Sequence, residues 1–178
     1  MSILKVCRMG HPILRQQAQP LSPDQLHSSA VQQLIDDMLE TMEDYEGIGL
    51  AAPQVFQSLR LLVMGYPEDA ASGPDALAQQ VLINPEWIEQ STNRVEDWEG
   101  CLSIPDIRGV VPRHTAVSVR ALDRAGKLVE LDMSGLAARV LQHEIDHLDG
   151  ILFPDRMEDK NTLTYLEEFH RYWQQSEE

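Results

Sequence analysis

The segment His143-Glu144-Ile145-Asp146-His147 places two imidazoles four residues apart, with a carboxylate beside the first of them. On an α-helix this spacing corresponds to about 40° of rotation and about 6 Å of rise, so both rings can reach one metal ion. Glu144 can then take a proton from a water on that ion without being a ligand. The segment predicts half of a metal-hydrolase site. A solvated helix face with two incidental histidines is the alternative for the motif alone.

A catalytic site of this type needs a third ligand and a position that stays open for water. The chain has two cysteines, Cys7 and Cys101. Cys7 lies in an alternating segment that favours a strand or an extended start, and we interpret it as a small buried residue. Cys101 lies between Gly100 and Pro105, where the backbone can turn sharply and present a thiolate. Cys101 is therefore the better candidate ligand.

Three segments resemble, in the right order, the three signature motifs of bacterial peptide deformylases. They are Gly47-Ile48-Gly49-Leu50-Ala51-Ala52-Pro53-Gln54-Val55, Glu99-Gly100-Cys101-Leu102-Ser103 and Gln142-His143-Glu144-Ile145-Asp146-His147. The likeness continues through Met9–Arg15, Leu82–Glu86 and Val111–Arg113, and covers nearly the whole chain up to about Phe153. The resemblance implies an enzyme that removes the N-formyl group from the formylmethionine of new polypeptides and releases formate.

The resemblance also assigns roles to single residues. The implied ligands of one divalent metal ion are Cys101, His143 and His147. Glu144 would act as general base and then as general acid toward the departing amine. The side-chain amide of Gln54 and the backbone N–H of Leu102 would stabilise the negative charge that develops on the formyl oxygen.

Substrate contacts follow from the same resemblance. The methionine side chain would enter a flexible apolar pocket, whose matching positions here are Ile48, Leu136 and Val140. The peptide backbone would run extended along Ile48 and Gly49, like an added strand. Arg108 either meets the downstream peptide or faces solvent, and Arg139 either helps at the pocket rim or faces solvent.

The identity of the metal does not follow from the ligand types, because thiolate and imidazole accept zinc, nickel, cobalt or iron. The resemblance implies Fe2+. Glu99 and Arg113 form either a supporting ion pair, as in the family, or a solvated pair of little value. The other histidines have no spacing that suggests ligation: His11, His27, His114 and His170.

The composition indicates one globular protein. With 178 residues, 43% of them hydrophobic, the chain can bury a substantial core, and we expect a single catalytic domain over residues 1–178. We find no signal peptide and no run of about 18 apolar residues, so we expect a bacterial cytoplasmic protein without a membrane partner. The net charge of −15 argues against binding to DNA.

The order of the elements predicts an α+β fold. Small antiparallel or mixed β-sheets would pack around a central metal-binding helix, with one helix N-terminal and another C-terminal to them. The expected elements are a helix over Val31–Met42, strands over Leu59–Tyr66 and Gln80–Gln90, a hairpin of Thr115–Leu122 with Leu128–Met133, the metal helix from Ser134 to a stop at Gly150, and a final helix over about 161–175. The loop over Pro67–Gln80 has no predicted purpose.

The expected partners are N-formylmethionyl nascent peptides, with transient contact to the ribosome as an open question. In better-known family members the C-terminal helix is basic and docks at the ribosome. This chain ends in Gln174-Gln175-Ser176-Glu177-Glu178, and such acidic residues repel RNA phosphate.

A zinc peptidase built on the same His-Glu-x-x-His helix is the main alternative. Phe153 occupies the last ligand position of the metzincin pattern and excludes that branch. A downstream carboxylate, Glu158, Glu167 or Glu168, could still complete a thermolysin-like site. The second alternative is a non-catalytic metal-binding domain.

Overall fold

The computed structural model describes residues 2–66 and 77–174. Its α-helices are α1 (Pro23–Leu26), α2 (Ser29–Asp44), α3 (Gly135–Leu148), α4 (Phe153–Arg156) and α5 (Leu166–Tyr172). Its strands are β1 (Gly49–Ala51), β2 (Leu61–Met64), β3 (Gln80–Gln90), β4 (Arg94–Cys101), β5 (Ile104–His114), β6 (Ala116–Leu122), β7 (Leu128–Ser134) and β8 (Thr164–Tyr165). The strands form two antiparallel sheets, with orders β1-β2-β3-β6-β7 and β4-β5-β8. None of the helices in the described ranges is both long and apolar enough to cross a membrane.

The five-stranded sheet lies between α2 and α3. Successive side chains of a strand point to opposite faces, and β2 is buried on both. Leu62 and Met64 pack in the apolar cluster of α3, whereas Leu61 and Val63 pack in that of α2. Burial of such side chains contributes about 1.5–3 kcal/mol each. This packing holds α3 firmly against the sheet.

Helix α3 has clear local signals at both ends. It begins after Ser134, whose backbone is extended. It ends before Gly150, which has a φ of 75°, the left-handed conformation that favours glycine just past a helix end. A Cβ on Gly150 would also lie 2.8 Å from the carbonyl carbon of Arg15. The predicted stop at Gly150 is confirmed.

The three-stranded sheet is built on the long β4–β5 hairpin. Its register runs from Arg94 opposite His114 to Cys101 opposite Ile104, so Cys101 lies at the tip. Strand β8 then pairs with β5 at Ile107 and Arg108. The hairpin thus carries Cys101 toward α3.

The predicted α+β architecture is confirmed, as are the N-terminal helix, the strand over Gln80–Gln90, the hairpin of β6 with β7 and the metal helix. The prediction of one helix over about 161–175 is wrong at its start. A 3-10 turn at Lys160–Thr162 and strand β8 precede α5, because pairing with β5 overrides the local helical periodicity. Residue 175 and most of the predicted loop Pro67–Gln80 lie outside the described residues.

Candidate active site

Cys101, His143 and His147 come together between the hairpin tip and α3. One donor atom from each lies within 4.8 Å of the others, and Cys101 Sγ is 3.2 Å from His147 Nε2. Bonds of about 2.3 Å to sulfur and 2.0–2.1 Å to nitrogen in a tetrahedral site would place these two atoms about 3.6 Å apart. The donor types and their spacing therefore fit one transition-metal ion. Within residues 2–66 and 77–174, this is the one such cluster found.

Glu99 determines which nitrogen of His143 is available to a metal. Arg113 donates to both Glu99 oxygens at 2.9 and 3.0 Å, and Arg139 donates to one of them at 2.8 Å. Burial alone would raise the pKa of Glu99, but hydrogen bonds from His143 and Arg113 lower the pKa to about 2. The ionised carboxylate can only accept, so Nδ1 of His143, at 2.9 Å, is the donor. When His143 is neutral, this bond leaves its Nε2 with a lone pair for a metal.

Glu99, Arg113 and Asp146 form a buried charge network, and Arg156 joins it from the surface with 45% of its side chain exposed. Arg113 also donates to Asp146 at 2.6 Å, and Arg156 donates to the same carboxylate at 2.6 Å. The side chains of Arg113 and Glu99 are only 4% and 5% exposed. The supporting ion pair is therefore confirmed, and the solvated alternative for it is wrong.

Arg139 belongs to the same network. It is 8% exposed, and besides Glu99 it donates to the carbonyl oxygens of Val111 and Val95 at 2.8 Å each. The solvent-facing alternative is wrong, because this side chain joins α3 to both strands of the hairpin. Sequence reasoning missed this role, since its partners lie far along the chain.

Glu144 is buried beside His143, and its position depends on Gly49. A Cβ on Gly49 would lie 2.8 Å from both Cδ and Cγ of Glu144. Oε2 of Glu144 has no hydrogen-bond partner in the part of the chain that the structure describes. Burial raises the pKa of Glu144 to about 7, against the lowering effect of His143. A carboxyl group with this pKa can both accept and return a proton near neutral pH.

Gln54 and Leu102 lie near the Cys101 thiol, and both line the open cleft beside it. Gln54 accepts from the Ala51 N–H through Oε1 at 2.8 Å, which leaves its Nε2 3.6 Å from Cys101 Sγ and 3.3 Å from Ser103 Oγ. Leu102 follows Cys101 at the hairpin tip and lines the same cleft. Its side chain packs in the α2 cluster. Two potential donors thus lie near the cysteine.

Comparison with known proteins agrees with this geometry. Residues 3–162 match the family described as polypeptide deformylase. Peptide deformylase 2 of a Nostoc species is 44% identical over 169 residues, covering 91% of this chain and 90% of that protein. The chain belongs to the polypeptide deformylase family. The peptide deformylase of Thermomicrobium roseum is 45% identical over 166 residues, covering 93% and 92%. A class I type b peptide deformylase from Acinetobacter baumannii, solved with Met-Ala-Ser bound, has a TM-score of 0.81 and 40% identity, covering 88% of this chain and 100% of that chain.

Family membership decides between the functions that the sequence left open. The enzyme is a deformylase, a hydrolase of the formyl amide on N-terminal formylmethionine. The predicted family, fold, reaction and dependence on a metal are confirmed. The thermolysin-like alternative is wrong, because its three candidate ligands lie in surface ion pairs. Glu158 pairs with Arg94, and Glu167 and Glu168 pair with Arg171.

The deformylase cleft in front of the metal donors has a volume of about 1200 Å³. All five residues expected to contact substrate line it: Ile48, Gly49, Leu136, Val140 and Arg108. Leu136 is 36% exposed, and it is thus open to a ligand. The side-chain space at Gly49 is filled by Glu144, so only its backbone can meet a peptide.

Among the cleft residues that were not predicted are Trp98 and Leu166. Trp98 precedes the buried Glu99 on β4, so strand alternation could have placed it on the opposite face. Leu166 could not have been found without knowing that β8 pairs with β5. Cys7 also borders the cleft, but it is 1% exposed and lies outside the metal cluster. The four remaining histidines likewise lie outside that cluster: His11, His27, His114 and His170.

Proposed function

We propose that Cys101, His143 and His147 hold the divalent ion of this deformylase and that Glu144 handles the proton. When bound, the ion supplies the Lewis acidity that makes a water deprotonable near neutral pH. Glu144 accepts that proton and transfers it to the amine that leaves when the formamide bond breaks. The observation that carries this proposal is the buried Glu144 carboxylate beside the metal donors, with one oxygen unpartnered among the described residues.

The developing negative charge on the formyl oxygen would be met by the side-chain N–H of Gln54 and the backbone N–H of Leu102. The Gln54 amide is held in advance by the Ala51 N–H on its oxygen side. Donors that are fixed before the reaction need no reorganisation as charge develops.

The peptide would bind in extended form along β1. This strand is at the edge of its sheet, so its outer backbone groups can pair with an added strand. Ile48, Leu136 and Val140 would surround the methionine side chain, and Arg108 would meet the downstream peptide. The Acinetobacter relative that was solved with Met-Ala-Ser bound supports a peptide ligand of this kind.

We propose Fe2+ as the physiological ion, with Zn2+, Ni2+ or Co2+ as functional substitutes. The mixed thiolate and imidazole donors accept all of them. A ferrous ion beside a thiolate is sensitive to oxygen, so activity of anaerobically purified enzyme should decline in air. Activity and iron content that both survive prolonged aeration would contradict this assignment.

We propose that residues 1–178 form one catalytic domain, which acts on N-formylmethionyl nascent peptides in a bacterial cytoplasm. Helix α3 supports a single domain, because it contacts both sheets. Glu167 and Glu168 in the first turn of α5 do not favour docking to ribosomal RNA through this helix. Neither DNA nor a membrane is a proposed partner.

The deciding experiment measures formate release from formyl-Met-Ala-Ser under anaerobic conditions, beside a casein proteolysis control. We expect formate release without proteolysis. Glu144→Ala should lower turnover by about 10²–10⁴-fold and keep its metal. The matched control is Glu130→Ala, which removes an exposed carboxylate on β7 and should keep both. Retained turnover in Glu144→Ala would refute the general-base role.

The ligand role of Cys101 is tested with the second cysteine as control. Cys101→Ala should lose stoichiometric metal, because two imidazoles alone hold the ion weakly. Cys7→Ala should keep the metal, since Cys7 is buried outside the cluster. Full metal content in Cys101→Ala, determined by elemental analysis, would remove the thiolate from the site.

A further inference from the structure

Helix α3 and strand β4 meet through contacts whose spacing matches along the two elements. Four residues of an α-helix rise about 6 Å, and two residues of a strand span about 6.6 Å. Nδ1 of His143 lies 2.9 Å from Oε2 of Glu99. One helical turn later, Nε2 of His147 lies 3.2 Å from Sγ of Cys101, which is two residues after Glu99. A step of four residues on the helix thus matches a step of two on the strand.

Arg139, one turn before His143, extends this row of contacts in the other direction. The same spacing places it at the level of Asp97, whose register partner on β5 is Val111. Arg139 indeed donates to the carbonyl oxygen of Val111 at 2.8 Å. It also donates to the carbonyl oxygen of Val95 on β4 at 2.8 Å. Arg139 therefore holds both strands of the hairpin at the end of the row that is furthest from Cys101.

Arg139 and His143 also hold one carboxylate from two successive turns of α3. Oε1 of Glu99 accepts from Arg139 at 2.8 Å, and Oε2 accepts from His143 at 2.9 Å. Arg113 donates to both oxygens, so each oxygen has two donors. The carboxylate is buried, and it cannot rotate or slide along α3 without breaking one of these bonds. The position of β4 along α3 is therefore fixed at Glu99, two residues before Cys101.

We propose that Arg139 is a positioning residue for the metal site, which sets the register of the β4–β5 hairpin on α3 and so the distance from Cys101 to the imidazoles. The inference rests on the proposed function, in which Cys101, His143 and His147 hold the ion. Arg139 acts through Glu99 and the hairpin backbone and is not itself a ligand. Donors that are already in place need little rearrangement when the ion binds. Loss of Arg139 should therefore weaken metal binding.

The test loads the enzyme with Co2+ under anaerobic conditions and measures the dissociation constant by competition with a chelator. Arg139→Met should weaken binding about tenfold, the lower end of the range for residues that support metal ligands through hydrogen bonds. The sulfur-to-cobalt absorption band, which reports the bond from Cys101 to the ion, should change in the same variant. Arg139→Lys should weaken binding by a smaller factor. Its single nitrogen can replace Nη1, which reaches Glu99 and Val111, but not also Nη2, which reaches Val95.

Arg60→Met is the matched control at the other side of α3. Arg60 likewise joins a carboxylate of this region to a strand backbone, because it donates to Asp149 at 2.7 Å and to the carbonyl oxygen of Pro85 at 3.1 Å. Asp149 directly follows α3, and Pro85 belongs to β3 of the five-stranded sheet. Arg60→Met should therefore lower the free energy of unfolding and leave both the Co2+ affinity and the absorption band unchanged.

Co2+ affinity in Arg139→Met equal to that of the unchanged enzyme would overturn the inference. If Arg139→Met does not fold, unchanged affinity in Arg139→Lys would overturn it instead. An equal loss of affinity in Arg60→Met would also do so, because metal binding would then follow overall stability rather than the register of the hairpin. Failure of the unchanged enzyme to bind one equivalent of Co2+ or to release formate would contradict the proposed function itself.

Discussion

The two faces of α3 show how differently one helix can be held in place. Its apolar face packs in the cluster of the five-stranded sheet through Ala138, Leu141, Ile145 and Leu148. The opposite face carries charged or metal-binding groups toward the hairpin, namely Arg139, His143, Asp146 and His147. The contacts of the apolar face depend on side-chain volume, whereas those of the polar face depend on particular hydrogen-bonding and charged partners. We therefore expect substitutions on the first to change stability and substitutions on the second to change chemistry as well.

The largest effect should follow from Arg113→Met, which leaves Glu99 and Asp146 buried without their shared partner. Breaking a buried ion pair in this way costs about 3–5 kcal/mol in unfolding free energy. Because His143 also loses its fixed orientation, metal affinity should fall about 10–100-fold. Denaturant unfolding and a metal titration would measure these effects.

Arg120→Met is the matched control for that substitution. Arg120 pairs with Glu130 on the surface, with side chains 51% and 55% exposed, so the loss should stay below about 1 kcal/mol. Equal losses in the two variants would mean that burial of the network has no special value.

Leu141→Ala tests the apolar face. Leu141 is fully buried at 0% exposure, and its truncation should cost about 2–5 kcal/mol through lost burial and a cavity. Turnover per bound metal should not change, because Leu141 lies in the apolar cluster and not on the face of α3 that carries the proposed site. Thermal unfolding and metal-normalised kinetics would check both. A large loss of turnover per bound metal would contradict the expectation that substitutions on the apolar face change stability alone.

Gly49→Ala acts on the chemistry from outside the helix. The new Cβ must displace the carboxylate of Glu144, and a misplacement of about 1 Å can lower the rate about 100-fold. The metal should remain, since the atoms nearest to the new Cβ belong to Glu144, which is not a proposed ligand. Turnover and metal content measured on the same sample would decide this. Normal turnover would show that Glu144 tolerates the shift.

The smallest effect should come from Asp155→Asn, in α4 and outside both faces of α3. Burial alone would raise the pKa of Asp155, but hydrogen bonds from Arg15 and the Leu152 N–H lower it. The carboxylate therefore stabilises the fold above its unfolded pKa, and this is lost as pH falls through the folded pKa. The variant should be less stable at pH 7 by under about 1 kcal/mol. The unfolding free energies of the variant and the unchanged protein should converge below about pH 4. A difference that stays constant with pH would show that the carboxylate charge is not the cause.

The cluster of candidate ligands and the main elements could be predicted because their signals are local. The spacing of His143 and His147 on a helix determines that both can reach one ion, and Gly150 marks the end of that helix. Period-2 alternation likewise located the β6–β7 hairpin. Each of these signals extends over a few neighbouring residues.

The surroundings of the site depended on contacts between distant parts of the chain. Arg139 has carbonyl partners on β4 and β5, and nothing near it in the sequence indicates them. Gly49 was expected to offer its backbone to the peptide, and nothing near it in the sequence indicates that its missing side chain also makes room for Glu144. The start of α5 was misplaced for the same reason, because the pairing of β8 with a distant strand determines it.

The proposed thiolate donor and the proposed imidazole donors belong to different layers of the fold, with Cys101 on the hairpin tip and the histidines on α3. An ion that bridges them acts as a cross-link between these layers and binds the folded chain only. Its free energy of binding is thus added to that of folding, and the increment grows with the logarithm of free metal concentration. Thermal resistance of this enzyme should therefore report the metal supply of the cell that contains it.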